Sequence, residues 1–114
     1  MFPIWELSGV KRYSAFYSTI MKIIGLPILN EFGDGHRDCI QQINAWLAEV
    51  QVAEWSTPSD IRARYINASI LPDNRAVFNI KGNKYRLDVK IYYQRQIVIV
   101  KRVGTHEQYE GWRF

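Results

Sequence analysis

Four residues in the C-terminal third of this chain have types and spacing suited to chemistry: Lys84, Arg86, His106 and Tyr109. They fall within residues 75–109, RAVFNIKGNKYRLDVKIYYQRQIVIVKRVGTHEQY. Histidine titrates near neutrality, at about 6.5 as a free side chain, so His106 can give or take a proton. Lys84 and Arg86 supply fixed positive charge, Arg86 as a fork that can hold two phosphate oxygens at once. Tyr109 follows His106 by three positions, which puts both rings on one side of a helical turn. Attack of a ribose 2′-OH on its neighbouring phosphate needs a base, an acid at the leaving 5′-oxygen and positive charge for the transition state. His106 suits the proton transfer, Arg86 and Lys84 the charge, and Tyr109 a stacked base or an oriented phosphate. Around them Lys81, Asn83, Lys90, Arg102 and Thr105 are the expected RNA contacts.

Each of these residues has an ordinary role to set beside the chemical one. A histidine near a strand end is usually a surface or capping residue, and alternating cations usually mark a solvent face or a protected edge. Asn83 beside Gly82 is a common turn former. Tyr109 and Trp112 could simply close the core.

The charge distribution favours the chemical reading. Residues 21–74 carry four Lys/Arg against seven Asp/Glu, whereas residues 75–114 carry nine against three, within an overall net charge of +4. A basic half beside an acidic one points to a polyanionic partner.

The elements that must position these residues follow from periodicity. Ile40, Ile43, Trp46, Leu47 and Val50 recur at helical steps and predict a helix within 36–55. Thr57-Pro58-Ser59-Asp60 is a helix start, which carries Ile61 and Tyr65 inward. Leu71-Pro72-Asp73-Asn74 is a turn. Strands are expected at about 75–80, 84–93 and 96–103, with turns at Lys81-Gly82-Asn83 and Gln94-Arg95. Alternation along 84–93 sends Lys84, Arg86, Asp88, Lys90 and Tyr92 to one face, an open one bearing a ladder of three cations. Helices followed by an antiparallel sheet give an α+β domain of two layers. Gly33-Asp34-Gly35 reads as a loop before the first helix.

Other classes fall away. With 114 residues the chain holds one domain, and the uncharged runs at 13–21 and 23–30 are too short to span a membrane. The lone cysteine, Cys39, fits a reducing cytoplasm. His36, Cys39, Asp34 and Asp38 lack the second Cys or His pair of a tetrahedral site, so neither metal nor cofactor is expected. No phosphate-binding glycine loop or nucleophile elbow is present.

The segments Asn44-Ala45-Trp46, Trp55-Ser56-Thr57-Pro58-Ser59-Asp60-Ile61, Phe78-Asn79-Ile80-Lys81-Gly82-Asn83-Lys84-Tyr85-Arg86-Leu87 and Gly104-Thr105-His106-Glu107-Gln108-Tyr109 together resemble the HigB toxins of type II toxin–antitoxin systems, within the RelE/ParE superfamily. The resemblance spans roughly 21–110. It implies a RelE-like fold, with N-terminal helices packed on a small twisted antiparallel sheet, and ribosome-dependent cleavage of messenger RNA. It also implies a helix-turn-helix, HigA-like antitoxin bound in a hetero-oligomer. Arg86 matches the arginine of the superfamily's Gly-Tyr-Arg motif, and His106 and Tyr109 fall in its C-terminal cluster. Met21-Lys22-Ile23-Ile24 resembles the usual start, so residues 1–20 are expected to be an N-terminal extension and 21–114 the toxin domain. ParE-like gyrase poisons share the fold but tend to lack the Thr-His-x-x-Tyr cluster. A non-catalytic RNA-binding module would need the basic sheet without His106.

Overall fold

A computed structural model describes residues 21–114. The expectation of an N-terminal extension at 1–20 lies outside the described residues.

Strand β1 (Lys22–Ile24) leads through Gly25 into helix α1 (Leu26–Gly35). Gly25 has φ 102°, and a Cβ there would sit 2.9 Å from the Val100 carbonyl oxygen, so both backbone and space demand glycine. Pro27 fits the first turn, where its missing N–H costs nothing. The stretch ending Gly33-Asp34-Gly35 is therefore the last turn of a helix rather than a loop. Gly33 is buried within it, and packing overrides glycine's poor intrinsic propensity.

A short 3-10 turn (Arg37–Cys39) opens onto α2 (Ile40–Gln51), whose buried stripe is Ile43, Trp46, Leu47 and Val50, as its periodicity predicts. Helix α3 (Pro58–Arg64) starts as expected: Asp60 accepts from the N–H groups of Ser56 at 2.8 Å and Thr57 at 3.0 Å. Those two backbone donors hold the Asp60 carboxyl below its ordinary range.

The sheet runs β1-β5-β4-β3-β2, with β2 (Ser69–Leu71), β3 (Arg75–Ile80), β4 (Tyr85–Tyr92) and β5 (Ile97–Thr105). Strands β2 to β5 pair antiparallel, and β1 lies parallel to β5, so the sheet is mixed at one edge. Together with the helices this makes an α+β fold, as expected. Edge strands β1 and β2 have three residues each, too short for a legible alternation. Asp73 and Asn74, with φ 64° and 61°, turn β2 into β3, a conformation short polar side chains tolerate.

One face of the sheet meets the helices. Phe78 stands among Trp46, Trp55 and Tyr65 at ring distances of 5.0–5.8 Å, and Leu87, Val89, Ile91, Val98 and Val100 complete the core. A bulge divides β5. Val100 opposes Val89 and Arg102 opposes Asp88, which leaves Lys101 without a partner. That extra residue reverses the alternation. Val98 and Val100 point into the core before it, and Arg102 points to the other face after it.

The other face is not open, contrary to the alternation argument. Arg86 is 8% exposed and Asp88 fully buried, because α4 (His106–Glu110) and the C-terminal residues fold back over them. Trp112 lies across Gly104, where a Cβ would meet its ring at 2.9 Å.

Candidate nucleic-acid cleavage site

Helix α4 is built by a reciprocal cap. The Gln108 N–H donates to Thr105 Oγ1 at 3.2 Å, and the Thr105 N–H donates to Gln108 Oε1 at 2.8 Å. Thr105, expected as an RNA contact, thus starts the helix that presents His106 and Tyr109. The His106 N–H donates to the Lys84 carbonyl at 3.0 Å, which ties this helix to the β3–β4 turn. Strand pairing sets Arg86 opposite Gly104 and Tyr85 opposite Thr105. The arginine and the histidine, 20 positions apart in sequence, are therefore neighbours.

Arg86 is held in place from two sides. Its Nη1 donates to the Asn83 carbonyl at 2.6 Å, and the Tyr109 ring lies over its guanidinium at 5.1 Å. Asn83 contributes its backbone there rather than its amide. His106 is half exposed, and its Nε2 lies 3.0 Å from Glu110 Oε1, one helical turn on. Glu110 was not among the expected site residues, although a helix starting at His106 places position 110 on the same side.

Lys84 departs from the expected face. It precedes β4 and belongs to the turn, so strand alternation does not govern it. Its amine reaches toward the helix layer, 2.6 Å from Asp38 Oδ2, while the Tyr85 hydroxyl donates to Asp38 Oδ1 at 2.7 Å and Lys81 Nζ to the Asp38 carbonyl at 3.3 Å. The hydrogen bond from Lys84, then that from Tyr85, bring the Asp38 carboxyl down to about 2. The same bond to Asp38 raises the Lys84 amine above the ordinary lysine value. Asp38 is thus the anchor of Lys84, an expected catalytic cation, and of Lys81, an expected RNA contact. Nothing in sequence links it to residues more than forty positions away. Neighbouring Cys39 is buried, and its thiol is pushed up to about 11 by burial and then by the Asp38 charge, so it is a poor nucleophile or ligand.

Arg102 and Lys90 lie further along the face. Arg102 Nε donates to Asp88 Oδ2 at 2.8 Å, and the carboxylate also accepts from Arg75, whose Nε is 3.1 Å from Oδ1. Lys90 is 3.6 Å from Asp73 and, four residues beyond Arg86 on the same strand, stands about 14 Å away. The buried Asp88 interrupts the cation ladder between them. The structure therefore brings Tyr109 onto Arg86, starts the same helix at His106, places Lys81 and Lys84 on the rim around Asp38, and sets Arg102 and Lys90 apart.

A family model for HigB toxins, described as the RelE-like toxic component of a toxin–antitoxin system, matches residues 39–112, well over half of the chain. No curated protein matches the chain. The matched span includes Lys81, Lys84, Arg86, His106 and Tyr109 and begins one residue after Asp38, while β1 and α1 precede it and pack on the same sheet.

Proposed function

The chain belongs to the HigB family of RelE-like toxins, and from that premise we propose that it is a ribosome-dependent endoribonuclease, an mRNA interferase that cuts translated messages and arrests growth. One observation carries the reading: Tyr109 lies over the Arg86 guanidinium on a short helix whose first residue, the half-exposed His106, is tied by its N–H to the Lys84 carbonyl. In the proposed step the 2′-oxygen attacks phosphorus as its proton leaves to a base. The bond from phosphorus to the 5′-oxygen breaks, and that oxygen takes up a proton. The products are a 2′,3′-cyclic phosphate and a 5′-hydroxyl. Arg86 neutralises the oxygens that gain charge, Tyr109 stacks on or orients the substrate, and His106 supplies the proton or the charge at the leaving group. Lys81 and Lys84 meet flanking phosphates from the rim, with Asn83 and Thr105 shaping the turn and helix between them.

Membership of the family implies an antitoxin partner. The charge of residues 75–114 supports a helix-turn-helix, HigA-like antitoxin that offers an acidic or amphipathic segment to this half. No helix among the described residues is long and apolar enough to cross a membrane, which is compatible with the proposed cytoplasmic site of action on ribosomes.

The test is expression without the antitoxin, comparing the chain with its His106→Gln variant. Growth arrest with cuts inside translated messages, lost in the variant, is expected. Arrest with intact messages and gyrase-dependent DNA damage would overturn the reading and favour a ParE-like poison.

A further inference from the structure

Cations and aromatic rings are paired in an ordered strip along the sheet face opposite the helices. At one end Tyr109 covers Arg86 at 5.1 Å. Two residues along the strand, at the level of Asp88, Arg102 lies 4.4 Å from the Trp112 ring and 4.9 Å from that of Phe114. Two residues further, Phe114 also covers Arg75 at 5.3 Å, and Lys90 lies 5.6 Å from the Tyr92 ring. Successive levels are about 7 Å apart, the rise of two strand residues. Four cations face this strip against two carboxylates, the buried Asp88 and the exposed Asp73 beside Lys90.

Packing alone does not account for the outer rings. Tyr92 is 39% and Phe114 57% exposed, the two aromatic side chains among the exposed large hydrophobics of the described residues, and both lie here. Each has one face on a cation and another toward solvent. Rings over fixed positive charge form the arrangement that holds single-stranded nucleic acid, where bases stack and phosphates meet cations without reading sequence. A double helix, with its bases already stacked, could use the cations but not the rings.

We propose that this strip is a track for single-stranded RNA, carrying the message away from the His106–Arg86 end across Arg102 and Trp112 toward Lys90 and Tyr92. The proposal rests on the nuclease reading and adds to it the path and strandedness of the substrate. Asp88 belongs to the device: it holds Arg75 and Arg102 in register beneath the rings and leaves the strip a net charge that binds RNA without trapping it.

The probes are 2′-O-methyl oligoribonucleotides, which lack the attacking hydroxyl and stay intact, titrated into the full chain at several salt concentrations. Affinity should rise from two to eight nucleotides, and an eight-nucleotide single strand should bind more tightly than a duplex of equal length. Tyr92→Leu with Phe114→Leu removes two stacking platforms, so it should weaken the eight-nucleotide strand at least about tenfold and leave the dinucleotide unchanged. Lys90→Ala should reduce the slope of log affinity against log salt by about 0.7. Equal affinity for strand and duplex, or an unchanged titration in the double variant, would overturn the track. So would a chain that ignores these strands while the double variant loses its antitoxin, since the strip would then be a protein interface. Cleavage is scored separately in translated messages. Binding with these features but without cutting would overturn the nuclease reading, whereas cutting without strand preference would overturn only the track.

Discussion

Removal of the Asp88 carboxylate should be the most destabilising polar substitution in the described part of the chain. Asp88 is fully buried and accepts from Arg75 through both Nε and Nη2, and from Arg102 through Nε. Asp88→Ala leaves two guanidiniums, whose side chains are 17% and 33% exposed, facing one another without a counter-charge. Breaking a buried pair by removing one partner costs about 3–5 kcal/mol. Arg102 is part-exposed and recovers some hydration, so the lower half of that range applies, about 3–4 kcal/mol. For a domain of this size each kcal/mol lowers Tm by roughly 4–8 °C, so a fall of at least about 12 °C is expected. Urea unfolding with an unchanged slope measures the loss as stability alone. Asp88→Leu combined with Arg75→Met and Arg102→Met should recover much of it, because apolar groups need no counter-charge. A loss under about 1 kcal/mol for Asp88→Ala would refute the claim that this carboxylate organises the second face.

Further expectations concern the site and its surroundings. His106→Gln should lower the single-turnover cleavage rate by about 10²–10⁴-fold with ribosome binding nearly intact, and Tyr109→Phe by less; weaker binding at an unchanged rate would reduce both residues to RNA positioning. Glu110→Ala should lower the same rate less than His106→Gln while KM stays constant, and Glu110→Asp should not restore it because the shorter side chain falls short of Nε2; a rate equal to that of the unchanged chain would leave the 3.0 Å pair without a role. Asp38, lowered to about 2, contributes stability that is fully present above the ordinary carboxylate value near 4 and is lost as pH falls through about 2. The stability difference between the chain and Asp38→Asn should therefore be flat from pH 5 to 8 and shrink below about 4, and a difference independent of pH would show that Asp38 does not pair with Lys84 in solution. Cys39 should resist alkylation at pH 8 until urea unfolds the chain, and rapid labelling of the folded protein would contradict its burial.

Long periodic segments were legible because burial imposes one face on them. The stripe of α2, the proline start of α3 and the three long strands all follow from spacing and turn chemistry. Helix α1 was hidden by its glycines, since Gly33 and Gly35 read locally as breakers although Gly33 is buried inside the helix. Edge strands β1 and β2 are held by their neighbours' hydrogen bonds, information that lies far along the chain. The pairing that joins Gly104-Thr105-His106 to Lys84-Tyr85-Arg86 was not legible, because it depends on an extra residue in β5 that spacing does not show.

What alternation could not supply was the environment of the charges. A strand with Lys84, Arg86, Asp88 and Lys90 at every second position reads as a solvent face because charged side chains are rarely buried alone. Here they are not alone. Asp88 turns Arg75 and Arg102 into a group that can be covered, and the rings of Trp112 and Phe114 cover it through cation–π contact, as Tyr109 covers Arg86. The unpaired Lys101 is what allows it. With an unbroken alternation Arg102 would share the inward parity of Val98 and Val100 and enter the core. Shifted by one residue, it reaches Asp88, and the strand continues to Gly104 and Thr105 with the phase that delivers α4 beside Arg86. A single inserted residue in β5 thus connects the stability of the second face to the position of His106, which is why a change at Asp88 or Lys101 should be felt at a site neither residue touches.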